Sequence, residues 1–240
     1  MRRILAAATT IALVAIGVAA TDAQADPAAR RATGPTITWS ACTEPALRAH
    51  KAECGFLTVP LDYKKPDGET IQLAVSRVRH TVPTDKYQGV MLVNPGGPGG
   101  KGRALSVLGS LVPKGAGAAY DWIGFDPRGV GASKPQLSCD GKYTRYNRPA
   151  YVPSTAEIEK IWLQRTEAYA AACAKAGGPL LSHLTTRDTV NDMERIRLAL
   201  GARQINFYGF SYGTYIGQVY ATLHPERVRR MVLDGIVNPT

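Results

Sequence analysis

The sequence predicts an α/β fold, built on a mixed and mostly parallel sheet with helices on both faces. Residues 56–61 and 71–79 alternate apolar and polar side chains on either side of a Pro66-Asp67-Gly68 turn, which predicts an antiparallel strand pair. Further along, short apolar runs alternate with helical stretches, a pattern typical of a parallel sheet covered on both faces. These runs are residues 90–93, 122–125, 205–208 and 228–233.

Three helices are predicted between these strands. Ser154 and Glu157 have the spacing of a capping box and are expected to begin the first helix, which a Gly-Gly-Pro sequence ends at residues 177–179. Thr185 and Asp188 cap a second helix, whose apolar residues recur at helical spacing. A third helix is predicted over residues 212–223, because a proline follows it.

The first 25 residues have the pattern of a signal peptide. Two arginines precede an uncharged run over residues 4–20, and Ala23-Gln24-Ala25 supplies small residues at a cleavage site. We therefore expect a secreted protein cleaved near Ala25, with a flexible leader at residues 26–35, a domain over residues 36–240 and no membrane segment in the mature form. An uncleaved anchor is the alternative, but the run is shorter than the roughly 20 residues of a membrane span.

The composition indicates one globular core and excludes several classes of function. With 45% hydrophobic and 20% charged residues, the chain can bury a sizeable core. The formal charge is +10, but the lysines and arginines are scattered. Their largest cluster, Arg227, Arg229 and Arg230, lacks the interleaved aromatic residues of a single-strand nucleic-acid groove. We therefore expect no nucleic-acid partner.

The four cysteines are expected to form disulfides, because their number is even and the protein is predicted to be exported. Three pairings are possible, and we favour the local one, Cys42 with Cys54 and Cys139 with Cys173. Neither a Cys-x-x-Cys nor a His-x-x-x-His spacing is present, so no metal site and no cofactor are predicted.

The pentapeptide Gly209-Phe210-Ser211-Tyr212-Gly213 matches Gly-x-Ser-x-Gly, and its surroundings are those of a nucleophile elbow. A predicted strand enters the motif and a predicted helix leaves it. The two glycines remove Cβ atoms that would clash where strand and helix approach each other. We therefore predict that Ser211 is a nucleophile and that the backbone N–H of Tyr212 stabilises an oxyanion.

A glycine run at residues 94–100, Asn-Pro-Gly-Gly-Pro-Gly-Gly, follows the strand at 90–93. Gly97, Gly99 and Gly102 formally match a dinucleotide fingerprint, but the run is not in a first strand-to-helix turn and a proline interrupts it. A phosphate-binding loop fails because a proline stands at its first glycine. The interpretation we adopt is the second half of an oxyanion hole, with Gly97 donating its N–H.

Four motifs follow one another along the chain: NPGGPG at residues 94–99, WIGFDPRGVG at 122–131, GFSYGT at 209–214 and LDG at 233–235. In this order they resemble those of the secreted bacterial tripeptidyl aminopeptidases and their proline iminopeptidase relatives. The resemblance implies an α/β-hydrolase fold and a serine exopeptidase acting on peptides with a free amino terminus. It places the nucleophile at Ser211 and the oxyanion hole at Gly97 and Tyr212. Lys101 stands where a small residue is expected.

The two partners of an elbow serine are an acid and then a histidine, both later in the chain. His224 follows Ser211 at the end of the predicted helix, roughly 20 Å away at about 1.5 Å of rise per residue, so we do not expect it to be the base. Asp234 is a candidate acid at the end of the last predicted strand, or else an aspartate that fixes the following turn. The other histidines precede the serine and are expected in surface or packing roles: His50, His80 and His183.

The resemblance further implies about eight strands, a helical cap after strand six, and then the acid and the histidine. The chain is therefore expected to be truncated after about strand six, to expose residues 228–233 as an edge strand, and to be inactive alone, since losing the base costs on the order of 10⁶ in turnover. Three alternatives remain open: an esterase or lipase of the same fold, a non-catalytic fragment or binding protein, and assembly with a separately encoded C-terminal half.

Overall fold

The computed structural model describes residues 34–238, so the predicted signal peptide and nearly all of the leader lie outside the described residues. Seven strands form one sheet in the order β1-β2-β3-β5-β4-β6-β7. The strands are β1 (Ser40–Ala41), β2 (Glu53–Pro60), β3 (Thr70–Val78), β4 (Val90–Asn94), β5 (Asp121–Phe125), β6 (Ile205–Phe210) and β7 (Val228–Asp234). The helices are α1 (Pro45–Ala49), α2 (Ala156–Gly177), α3 (Thr186–Ala199) and α4 (Tyr212–Leu223).

The sheet is mixed, as predicted. β1, β2, β3 and β5 pair antiparallel in succession, whereas β5, β4, β6 and β7 pair parallel. The parallel half therefore aligns the carboxyl ends of four strands along one edge. In this half Asn94 lies opposite Gly209, which brings the segments that follow β4 and β6 side by side. Within residues 34–238, β7 pairs only with β6 and is an edge strand of the described sheet, as expected from the sequence.

Both faces of the sheet are covered by apolar residues. On one face, buried side chains of the central strands pack against α3 and α4, with Met193 and Tyr220 fully enclosed. On the other face, Met91, Val93 and Trp122 pack against short helical turns over residues 103–119. The alternation of side chains along each strand divides the core in this way.

The helix ends agree with the sequence in two cases and differ in one. α4 spans the predicted residues, and α3 begins with the predicted capping box, in which Thr185 accepts a hydrogen bond from the N–H of Asp188. For α2 the predicted capping box at Ser154 and Glu157 is wrong. The N-cap is Thr155, whose hydroxyl accepts from the N–H of Ile158 and so takes the place that Ser154 was expected to fill.

Disulfides join Cys42 to Cys54 and Cys139 to Cys173, which confirms the local pairing. Over residues 34–238, no helix is both long enough and apolar enough to cross a membrane. The same part of the chain holds no cluster of three histidine, cysteine or acidic side chains suited to a metal ion.

Candidate active site

Ser211 lies at the sharp turn between β6 and α4. Its backbone has φ 50° and ψ −124°, a conformation that residues other than glycine rarely adopt. Ser211 is exposed. Three hydrogen bonds hold this turn. The Ser211 N–H donates to the Asp234 carbonyl at 2.9 Å, and the Ser211 carbonyl accepts from the N–H and the hydroxyl of Thr214 at 2.8 and 2.7 Å. The strained serine is therefore fixed by both β7 and α4.

The glycines on either side of the turn are required by close packing. A Cβ atom on Gly209 would lie 2.6 Å from the carbonyl oxygen of Gly213, and one on Gly213 would lie 2.6 Å from the carbonyl oxygen of Asn94. Real Cβ atoms do not approach backbone oxygens this closely. The Gly-x-Ser-x-Gly pattern therefore allows β6, α4 and the end of β4 to meet at Ser211.

The glycine loop that follows β4 packs directly against the turn. A Cβ atom on Gly96 would lie 2.4 Å from the Phe210 carbonyl oxygen and 2.7 Å from the Tyr212 nitrogen, and Gly96 itself has φ +81°. The Asn94 side chain accepts a hydrogen bond from the Gly96 N–H at 2.8 Å, which shapes the start of the loop. Gly97, the next residue, is exposed and has φ +115°.

This geometry brings the two predicted oxyanion donors, Gly97 and Tyr212, to the same corner of the sheet. The N–H of Tyr212 lies in the first turn of α4, where backbone N–H groups have no acceptor within the helix and the helix dipole is positive. Gly97 lies one residue beyond the point at which the loop touches the Tyr212 nitrogen. Chemically, such an arrangement can stabilise negative charge that develops on a carbonyl oxygen beside Ser211.

Asp234 lies at the end of β7, next to the serine turn. Its backbone carbonyl accepts from Ser211, while its exposed carboxylate accepts a hydrogen bond from the Tyr208 hydroxyl at 3.0 Å. Partial burial and this bond to Asp234 raise the pKa of the Tyr208 phenol. The carboxylate is therefore held by a side chain of β6 and is not bonded to a histidine.

Two of the histidines, His224 and His80, lie away from the serine. His224 follows the last turn of α4, with its ring 5.2 Å from the ring of Tyr220. His80 is bonded to Asp121, the first residue of β5, and therefore lies at the opposite edge of the sheet from Ser211. Across residues 34–238, no hydrogen bond joins the Ser211 hydroxyl to a histidine. The remaining two occupy the end of α1 and the turn before α3: His50 and His183.

His80 and Asp121 are residue types found in catalytic dyads, but the contacts of this pair show a structural role. The Asp121 carboxylate accepts from the His80 N–H and lies 2.8 Å from its Nδ1 atom, and it also accepts from the Tyr87 hydroxyl at 3.0 Å. Burial alone would raise the pKa of Asp121, but these hydrogen bonds outweigh it and lower the pKa. The three residues thus tie the segment after β3 to the start of β5.

A buried ion pair was missed by the sequence analysis, and it lies in the turn after β5, close to Asp126. Asp126 does shape the turn, since its carboxylate accepts from the N–H groups of Arg103 and Ala132. Arg128, however, is only 2% exposed and binds the fully buried Asp192 of α3 with two hydrogen bonds of 2.8 and 2.7 Å. An aspartate within the apolar stripe of α3 was the available signal for this pair.

Two opposite effects act on the pKa of the Asp192 carboxyl group. Burial raises its pKa, and the guanidinium of Arg128 opposes this. For Arg128, burial works against the charged form, but the bonds to Asp192 outweigh it and raise the pKa. Tyr63 also donates its hydroxyl to Asp192 at 2.7 Å. The cluster joins the turn after β5, α3 and the β2–β3 connection.

Comparison with known proteins places these features in context. A family profile described as alpha/beta hydrolase fold matches residues 89–240. The tripeptidyl aminopeptidase of Streptomyces coelicolor is 41% identical over 218 residues, covering 89% of this chain and 40% of the relative. Serine protease Hip1 of Mycobacterium tuberculosis is 36% identical over 247 residues, covering 100% and 47%. Carboxylesterase B of Mycobacterium tuberculosis is 35% identical over 219 residues, covering 85% and 40%. The chain spans less than half the length of these relatives.

Proposed function

The chain belongs to the α/β-hydrolase fold family, and from this we propose that it is part of a secreted serine exopeptidase that cleaves peptides from a free amino terminus. The observation that carries the proposal is the exposed Ser211, held at positive φ between a strand and a helix and flanked by a glycine loop. The names of the relatives, a tripeptidyl aminopeptidase and a serine protease, favour peptide substrates.

In the proposed reaction, the Ser211 hydroxyl attacks a peptide carbonyl and a histidine takes its proton. The N–H groups of Gly97 and Tyr212 hold the oxyanion of the tetrahedral intermediate. The histidine then donates the proton to the leaving amine, and water releases the acyl group by the same route. Neither a metal nor a cofactor takes part in this scheme.

We propose that the histidine, and the acid that orients it, come from outside residues 34–238. Two observations support this: within residues 34–238 no histidine is hydrogen-bonded to the Ser211 hydroxyl, and the relatives are more than twice as long as the segment they share with this chain. Asp234 is the alternative acid, and in that role its carboxylate would exchange the hydroxyl of Tyr208 for the base. Without the base, the isolated chain is expected to be slower by about 10⁶.

A chimera tests the proposal. Residues 34–240 are joined to the part of the Streptomyces coelicolor tripeptidyl aminopeptidase that follows the segment matched here. The chimera should release amino-terminal fragments from free peptides but not from N-acetylated ones, and a fluorophosphonate should label Ser211. Ser211→Ala should lose on the order of 10⁶ in turnover. Ser110→Ala is the matched control, because Ser110 is exposed and bonds only its own helical turn.

Other outcomes identify the alternatives. Carboxylesterase B among the relatives favours ester hydrolysis as the second candidate. Turnover of acyl esters without peptide cleavage would establish it, since the elbow itself does not distinguish ester from amide. A chimera that unfolds cooperatively yet is neither labelled nor active would indicate a non-catalytic binding protein. Export of the full chain, followed by amino-terminal sequencing, should yield Asp26 as the first residue if the signal peptide is cut as predicted.

A further inference from the structure

A cavity of about 400 Å³ lies beside the serine turn. Its walls include Gly96 from the glycine loop, Tyr212 and Ile216 from α4, and the side chains of Leu137 and Leu184. Gly96 and Tyr212 also border the corner where an oxyanion beside Ser211 would lie. The volume falls in the range of small-molecule pockets, so a group attached to that carbonyl can enter the cavity.

Among the described residues, Arg128 is the one ionised side chain on the cavity wall, and it has no donor left for a ligand. A guanidinium has five N–H groups. Here Nε and Nη2 donate to Asp192, Nη1 donates to the carbonyls of Leu61 and His183 at 2.9 and 3.0 Å, and Nη2 donates to that of Pro60 at 3.3 Å. All five are used, and Asp192 neutralises the charge. A charged ligand group in the cavity would therefore be buried without a partner, which is costly.

Two hydroxyls on the cavity wall offer the cavity one hydrogen-bond donor. The Oγ1 atom of Thr186 and the phenolic oxygen of Tyr212 are 2.6 Å apart, and both residues line the cavity. Two hydroxyls carry two protons, and their mutual bond uses one. Within residues 34–238 neither hydroxyl has another acceptor, so the second proton is free to be donated to a carbonyl oxygen of a ligand.

We propose that this cavity binds an uncharged residue of the substrate, the one whose carbonyl Ser211 attacks, and that the Thr186–Tyr212 hydroxyl pair donates to a carbonyl oxygen of the bound peptide. The inference rests on the proposed function for the identity of the ligand as a peptide. Leu137, Leu184 and Ile216 on the wall can contact an aliphatic or aromatic side chain. Because no wall residue among those the structure describes has a charge available to a ligand, lysine, arginine, aspartate and glutamate side chains are disfavoured.

Binding of amino-acid amides to the full chain tests the inference without any turnover. The probes are N-acetyl-leucinamide, N-acetyl-lysinamide and the amide of N-acetyl-glutamate, titrated while the methyl resonances of Leu137, Leu184 and Ile216 are followed by NMR. The leucine probe should shift all three in a saturable way and bind at least tenfold more tightly than either charged probe. Equal affinity of a charged probe, or unmoved methyls up to the solubility limit, would overturn the proposal.

Variants test the role of the hydroxyl pair. Thr186→Val combined with Tyr212→Phe removes both hydroxyls and should weaken binding of the leucine probe by about three- to tenfold, as expected for one hydrogen bond, whereas Thr186→Ser should retain the wild-type affinity. Thr222→Val is the control, because its hydroxyl bonds the carbonyl of Gln218 on the exposed side of α4. Wild-type affinity in the variant that lacks both hydroxyls would remove the hydroxyl pair from the proposal. If the proposed function fails instead, the chimera is inactive while probe binding is unchanged.

Discussion

The close approach of Gly96 to the serine turn makes a quantitative prediction for Gly96→Ala. The added methyl group would lie 2.4 Å from the Phe210 carbonyl oxygen, 2.7 Å from the Tyr212 nitrogen and 2.8 Å from the Gly213 nitrogen. All three are backbone atoms, so a rotamer change cannot relieve the clash. The glycine loop and the turn must therefore move apart, or the clash lowers the free energy of unfolding.

Two terms contribute to the expected loss. A residue with a Cβ atom at the positive φ of Gly96 costs about 1–2 kcal/mol, and forcing a methyl group into packed backbone costs a further 1–3 kcal/mol or so. We therefore expect a loss of about 2–5 kcal/mol in the free energy of unfolding. Gly99→Ala is the matched control, because Gly99 has φ +87° in the same loop but no atom within 4 Å of its added Cβ. It should lose only the conformational term, about 1–2 kcal/mol.

Urea denaturation of the full-length variants, followed by circular dichroism, measures both losses. The difference between Gly96→Ala and Gly99→Ala isolates the clash and should be about 1–3 kcal/mol. In addition, the backbone amide resonances of Tyr212 and Gly213 should shift in Gly96→Ala and stay in place in Gly99→Ala. Equal losses in the two variants, with the Tyr212 resonance unmoved, would refute the packing of this loop against the serine turn.

Three further predictions concern other parts of the fold. Arg128→Met should lower the free energy of unfolding by about 3–5 kcal/mol, because it leaves Asp192 buried without its charged partner. Arg128→Met combined with Asp192→Leu should recover most of that loss in the same urea titration. Equal losses in the single and the double variant would contradict this. Asp121→Asn should make the free energy of unfolding less dependent on pH in acid. The pKa of Asp121 is lowered in the folded state, so the stability that its carboxylate contributes is present above the unfolded pKa of about 3.9 and is lost as pH falls through the folded pKa. Parallel wild-type and variant curves of unfolding free energy between pH 2 and 5 would disprove this. The unpaired edge of β7 is expected to make the wild-type chain self-associate, and Val232→Lys on this strand should reduce that self-association in sedimentation velocity. Leu198→Lys should not, although Leu198 is 43% exposed and Val232 is 46% exposed. A wild-type chain that stays monomeric at every concentration would count against the edge-strand argument.

The mixed character of the sheet could be predicted because most of its strands carry a periodicity of their own. The apolar run at β4 and the alternation along β2 and β3 are local properties, and they gave the parallel and antiparallel halves of the sheet. The start of α2 was misplaced by one residue because Ser154 and Thr155 are both good caps, and only the backbone decides which hydroxyl reaches an N–H.

The serine turn could be predicted for a similar reason, whereas the ion pair and the cavity could not. Ser211 and its glycines form one short motif whose geometry follows from their own backbone. Arg128 and Asp192 are separated by 64 residues, and the cavity combines residues from five segments of the chain. Contacts of this kind depend on how far α3 lies from the turn after β5, a distance that no local pattern specifies.

The hydrogen bonds and close contacts described for the serine turn come from residues 34–238. Its hydrogen bonds come from β7 and α4, its close contacts come from β4, and the ion pair of Arg128 fixes the wall of the adjoining cavity. In the proposed function, positioning of Ser211 and neutralisation of the cavity wall therefore use residues 34–238, and we propose that proton transfer uses a histidine from elsewhere. Because these are separate parts of the structure, binding of neutral amides and activity of the chimera should fail independently, and the cavity should keep its preference for uncharged ligands in Ser211→Ala.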